Sequence, residues 1–185
     1  MSYSSKTDFL RNVFKDYIFA HFKTIINRGT LVFKISMPIF FKKKAQAKCN
    51  LFFAEVVALC FQGAIYNKLY EHFHEGNISE DDLIEWMNAL DEVLISILNR
   101  AGLSPILLSI LRTNFESSLN YSSERFVNNF IEDQFPRILQ SVAYAYKDDF
   151  TIDDDADPVS ITHLAMYEAT RLYSELNAEI RASKF

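Results

Sequence analysis

The sequence has few of the residues that interrupt regular structure, with only four glycines and four prolines among 185 residues. A chain built entirely from β-strands needs a turn roughly every 8–12 residues, and such turns draw heavily on Gly, Pro and Asn-Gly or Asp-Gly pairs. The composition therefore argues against an all-β fold and favours long helices.

Cysteine is also scarce, and the two cysteines present are badly placed for a disulfide. Cys49 and Cys60 fall in one predicted helix, where eleven positions separate their backbones by about 16 Å. Their apolar neighbours indicate small buried side chains. The N-terminal residues lack the apolar core and cleavage site of a secretory signal peptide, which predicts a reducing, cytoplasmic setting.

Motifs for catalysis and cofactor binding are missing as well. The chain has no Gly-x-Ser-x-Gly elbow, glycine-rich phosphate loop, dinucleotide fingerprint, His-Glu-x-x-His or Cys-x-x-Cys. Glu71 and His74 form one Glu-x-x-His pair, but the second copy of a di-iron bundle is absent. His72 and His74 are interpreted as surface residues near a helix C-terminus. The missing motifs favour a protein without a metal site, a cofactor or enzymatic activity.

Apolar and aromatic residues, by contrast, are abundant, with 49% hydrophobic residues and 17 phenylalanines. They recur at spacings of three and four through most of the chain, which is typical of amphipathic helices. One predicted helix, at about 45–73, is apolar on nearly every side. We therefore predict a single all-α domain over 1–185: a compact bundle of about six or seven helices around this central helix, with a short extended or broken-helix connector near 30–41.

Local signals mark where the predicted helices begin and end. Ser79 precedes three acidic residues and predicts an N-cap, whereas Gly102 predicts a helix end. Ser104 followed by Pro105 predicts a second N-cap with proline at the first helical position. Ser122 or Ser123 can cap a later helix, in which Pro136 predicts a kink or a split.

Charge is unevenly distributed along the chain. Residues 1–48 carry ten Lys or Arg against two acidic residues, whereas the remaining residues carry nine against 22. The asymmetry indicates either a basic surface for an anionic partner or basic and acidic helices packed side by side, and the second interpretation is preferred. The net charge of −5 and the lack of a helix-turn-helix signature argue against nucleic acid as a partner.

Polar residues within the central helix provide one candidate binding site. Glu55, Gln62 and Tyr66 follow one narrow line on an otherwise apolar helix. They could form the polar edge of a pocket for a small apolar ligand, with Phe52 and Phe61 among its walls. Alternatively, this line contacts solvent or a neighbouring helix, as polar stripes commonly do in helical bundles.

A second candidate lies in the segment 37–48, where aromatic residues adjoin a lysine cluster. This composition is typical of peripheral contact with an anionic membrane or another anionic partner. The alternative is a helix that buries its aromatic side chains and exposes its lysines. The residues concerned are Phe40, Phe41, Lys42, Lys43, Lys44 and Lys48.

These patterns together favour a non-catalytic protein that acts by association with a protein partner or with itself. The alternatives are an apolar-ligand-binding protein with a pocket near Glu55 and Gln62, and a peripheral membrane contact through 37–48. The longest apolar stretch, Leu51 to Tyr66, is shorter than the ~20 residues of a transmembrane helix.

Overall fold

The computed structural model describes residues 1–17, 42–146 and 158–182, and within these residues the chain forms helices and short connections without a β-strand. The prediction of an all-α bundle is confirmed. The connector predicted near 30–41 lies outside the described residues. In chain order the helical segments are α1 (3–17), α2 (Lys42–His74), α3 (Glu80–Arg100), α4 (Ile106–Ser118), α5 (Ser123–Phe126), a π-helical segment (Val127–Gln134), α6 (Phe135–Ala145) and α7 (Pro158–Ala182).

Helix α2 is the centre of the bundle, as its apolar composition predicts. It packs against α3, α4, α6 and α7, and every residue from 56 to 67 is buried. At Gly63 the approach is so close that an added Cβ would lie 2.8 Å from the ring of Phe135 in α6. Burial on all sides explains why this helix is apolar around its whole circumference.

The ends of α2 and α3 follow the local signals. Gly76 and Gly102 adopt φ values of 73° and 74°, the left-handed conformation that terminates a helix without a Cβ clash. The Ser79 hydroxyl accepts a hydrogen bond from the backbone N–H of Asp82 at 3.1 Å, which confirms it as the N-cap of α3.

The start of α4 differs from its prediction. Ser104 does not cap this helix, because Pro105 itself occupies the N-cap position and the helix begins at Ile106. Pro105 already accepts the N–H of Ser109 through its carbonyl at 3.2 Å. Its own missing N–H costs nothing at this position, where an intrahelical partner would be absent anyway.

The split predicted at Pro136 takes the form of a change in helix type. Ser122 caps α5 by accepting the N–H of Arg125, and the next eight residues are π-helical. The N–H of Phe135 donates to the carbonyl of Phe130, five residues back, before the chain resumes α-helix through Pro136. Because proline has no backbone N–H to donate to the preceding turn, Pro136 is a local cause of the change in hydrogen-bond register beside it.

Basic side chains of α1 pair with acidic side chains of α3. The Lys6 side chain is only 1% exposed, and its Nζ lies 2.8 Å from a carboxylate oxygen of Asp82 and 2.6 Å from one of Glu85. Phe9 and Trp86 pack edge to face beside this cluster, with ring centroids 5.9 Å apart. For this part of the basic segment, the interpretation that charges are paired within the fold is confirmed.

Candidate functional site

The predicted ligand residues Gln62 and Tyr66 are in contact with each other and with α4. Gln62 is fully buried, and its Nε2 donates to the Tyr66 hydroxyl at 3.1 Å and to the Leu108 carbonyl at 3.0 Å. Among the described residues, its Oε1 has no hydrogen-bond partner. Tyr66 stacks on Phe115, with ring centroids 4.3 Å apart. This part of the predicted polar line therefore joins α2 to α4.

Burial and nearby charge perturb the ionisation of Tyr66. Desolvation raises the pKa of its hydroxyl well above the ordinary tyrosine range, and the negative charge of Asp91 raises it further. Asp91 in α3 forms a partly buried ion pair with Arg112 in α4. Tyr66 is thus a neutral hydrogen-bonding group in a polar seam between helices.

The other three predicted ligand residues contact different neighbours. Glu55 accepts a hydrogen bond from the Tyr146 hydroxyl, and burial raises the pKa of its carboxyl. Phe52 packs against Tyr146 at 5.3 Å between ring centroids, whereas Phe61 packs against Phe14 of α1 at 5.1 Å. The predicted residues are therefore distributed over contacts to α1, α4 and the end of α6, and ligand binding by them stays a prediction.

The predicted anionic-surface patch lies largely beyond what the structure describes. Phe40 and Phe41 are outside the described residues, and Lys42–Lys44 and Lys48 belong to the helical backbone at the start of α2. Membrane or anionic-partner contact through 37–48 stays a prediction. Of the described helices, none is long and apolar enough to cross a bilayer.

A cleft of about 390 Å³ opens beside the C-terminal end of α2. We call it the α2–α7 cleft, since α2 and α7 form two of its walls and α5 with the π-helical segment forms the third. Its volume is within the range of small-molecule and side-chain pockets. The lining residues are Asn67, Tyr70, Glu71, His74, Glu75, Ser123, Phe126, Val127, Ile131, Asn177 and Arg181.

Aromatic stacking builds the floor of this cleft. Tyr70 lies face to face with Phe126, with ring centroids 3.6 Å apart and planes 7° from parallel. Phe126 in turn stacks on Phe130 at 5.1 Å. Phe126 and Phe130 are fully buried and Tyr70 is 3% exposed, so the stacked rings support the cleft from the core and add little to its accessible surface.

One backbone carbonyl fixes two of the lining side chains. The Tyr70 hydroxyl donates to the carbonyl oxygen of Tyr121 at 3.0 Å, and His74 Nε2 lies 2.9 Å from the same oxygen. Since a carbonyl only accepts, His74 carries its proton on Nε2 in this contact. The connection before α5 is thereby joined to the last turns of α2.

Charged and amide side chains form the rim. Glu71 of α2 forms an ion pair with Arg181 of α7, and Asn67 donates to Asn177 at 3.1 Å across the same two helices. The Glu75 carboxylate accepts a hydrogen bond from the side-chain amide of Asn77 at 2.8 Å. The cleft can therefore hold an amphipathic group by burying its apolar part and pairing its polar end.

The sequence contains a recognisable motif in one wall of this cleft and none in the other two. Glu71 and His74 form the Glu-x-x-His pair on this wall, and His72 and His74 are predicted to be surface residues. His74 is exposed, whereas His72 is partly buried. Val127 and Arg181 had no distinguishing local pattern. Pro136 was the available sequence signal for the third wall, because it predicts an interruption of the helix. The interruption is a π-helical segment, a type of structure that often occurs at functional sites.

Within the described residues, no group of three or more His, Cys, Asp or Glu side chains is arranged to hold a metal ion. No protein-family model, curated protein or solved structure shows significant similarity to the chain.

Proposed function

We propose that the protein is a non-catalytic binding protein that associates with a protein partner through the α2–α7 cleft. The observation that supports this best is the joint presence of an accessible apolar wall at Val127 and Ile131 and a charged rim at Glu71, Glu75 and Arg181. Protein interfaces concentrate binding energy in such places, where an apolar group is buried inside a polar border.

The form of the cleft favours a side chain of a larger partner over a fully enclosed small molecule. The cleft is partly open to solvent, and Val127, one of its lining residues, is 42% exposed. A partner that inserts one side chain would also cover Val127. Self-association by a second copy of the chain is included in this proposal.

Site-specific photo-crosslinking tests the proposal. A benzophenone amino acid replaces Val127 in one variant and Ile110 of α4 in the other; both positions carry an aliphatic side chain that is 42% exposed, but only Val127 lines the cleft. We expect a discrete crosslinked species from native lysate at position 127 and none at position 110. Equal crosslinking at both positions, or none at either, would overturn the proposal.

A further inference from the structure

The charges that line the α2–α7 cleft are unbalanced. Among the described residues that line the cleft, Glu71 and Glu75 supply two carboxylates, whereas Arg181 is the one Lys or Arg. Arg181 is already paired with Glu71. Glu75 is exposed and receives its hydrogen bond from the neutral amide of Asn77. Within the part of the chain that the structure describes, the Glu75 carboxylate is therefore not paired with a cation of the cleft.

An anionic ligand group would have to compete with an existing ion pair in this cleft, whereas a cationic group would not. An anion has to draw Arg181 away from Glu71, so it gains one ion pair by weakening another. A cation can approach Glu75 without breaking an ion pair. Lys68 is close to this edge but donates to the backbone carbonyl of Arg181 at 3.1 Å and does not line the cleft.

The apolar part of the cleft suits the stem of a long basic side chain. Val127 and Ile131 of the π-helical segment are the accessible apolar side chains of the cleft wall, since Phe126 is fully buried. Lysine and arginine bury their methylene groups against such surfaces while their charged ends stay at the solvent edge. Burial of the stem at the wall and pairing of its end at Glu75 can therefore occur together.

We propose that the group bound in the α2–α7 cleft is a basic side chain, arginine or lysine, of the protein partner. Its methylene stem packs against Val127 and Ile131, and its guanidinium or ammonium group pairs with Glu75. This inference rests on the proposed function, in that it names the chemistry of the partner at the same cleft.

Binding of single blocked amino acids isolates this chemistry from the rest of a partner. The probes are N-acetyl amides of arginine, lysine, norleucine and glutamate, titrated at low ionic strength into the ¹⁵N-labelled 185-residue chain and followed by amide chemical shifts. We expect the arginine and lysine probes to shift amides of Glu75, Val127 and Ile131 in a saturable way. Added salt should weaken this binding, because rim charges are screened.

The variant Glu75→Gln keeps the shape of the exposed side chain and removes its charge, so it should raise the Kd of the arginine probe by about two- to five-fold, the range of exposed ion pairs. Glu132→Gln is the matched control, because Glu132 is exposed on the π-helical segment and does not line the cleft. Its Kd should equal that of the unchanged protein.

Three outcomes would overturn the inference: equal binding of norleucine, preferential binding of glutamate, or no saturable shift with the basic probes. If photo-crosslinking at position 127 succeeds while the basic probes fail, the proposed function stands and only the basic side chain is rejected. If the probes bind as expected and crosslinking fails, the cleft recognises a cation but the protein partner is rejected.

Discussion

The middle of α2 and its C-terminal end both carry polar side chains, but they use them differently. In the middle, Gln62 is fully buried, and its side-chain amide donates hydrogen bonds to Tyr66 and to a backbone carbonyl of α4. At the end, Glu71 and Glu75 border an open cleft. Polar groups in the middle are therefore part of the fold, whereas those at the end are accessible to a partner. Substitutions in the middle should act mainly on stability, and substitutions at the end mainly on binding.

The largest effect is expected at Gly63, where the middle of α2 is closest to another helix. The variant Gly63→Val places a Cβ 2.8 Å from the buried ring of Phe135, and such overpacking should lower the free energy of unfolding by about 2–3 kcal/mol. Urea denaturation measures the change. The double variant with Phe135→Leu should lose less than the sum of the two single variants, because the smaller side chain relieves the clash. Simple additivity would show that the close approach is not the cause.

A feature of these two regions can be predicted from the sequence when the residues that determine it are close together in the chain. The caps at Ser79 and Gly102 are predictable because their hydrogen bonds involve neighbouring residues. The central position of α2 follows from its apolar circumference. The cleft does not follow, because Glu71 and Arg181 meet across 110 positions of the chain.

The predicted polar line within α2 shows the same limit in another form. As predicted, Gln62 and Tyr66 lie on one face of α2, and they are hydrogen-bonded to each other. The partner of Gln62 in α4, however, is the backbone carbonyl of Leu108, and no side-chain pattern marks a backbone acceptor. Periodicity therefore identified the helix face but not what that face contacts.

A smaller loss of stability is expected for Gln62→Leu. The substitution removes the donors to Leu108 and Tyr66, but it also removes the buried Oε1 that has no hydrogen-bond partner. These effects partly cancel, so the free energy of unfolding should fall by about 1 kcal/mol. Thermal and urea unfolding give the value, with Asn88→Leu on the exposed face of α3 as the control. A gain in stability would instead indicate that the amide is retained for a bound ligand, as in the pocket hypothesis for Gln62.

The smallest effect is expected at Glu55, and its sign depends on pH. Burial raises the pKa of the Glu55 carboxyl in the folded protein, so folding penalises its charged form once the pH exceeds the ordinary glutamate range, and the penalty disappears below that range. The variant Glu55→Gln cannot ionise and can still accept the hydrogen bond from Tyr146. It should be more stable than the unchanged protein at neutral pH, by on the order of 0.5 kcal/mol for this half-buried side chain, and equally stable in acid.

Urea denaturation of both proteins across the acidic and neutral range measures this difference. Glu71→Gln at the cleft is the contrasting variant, because Glu71 is paired with the guanidinium of Arg181 rather than with a hydroxyl. Loss of that carboxylate charge should reduce stability slightly at neutral pH instead of increasing it. The two variants thus compare two carboxylates of α2. Glu55 is hydrogen-bonded to a neutral hydroxyl, whereas Glu71 is paired with a cation. Stabilisation by both, or by neither, would show that the environment of a carboxylate along α2 does not decide its contribution.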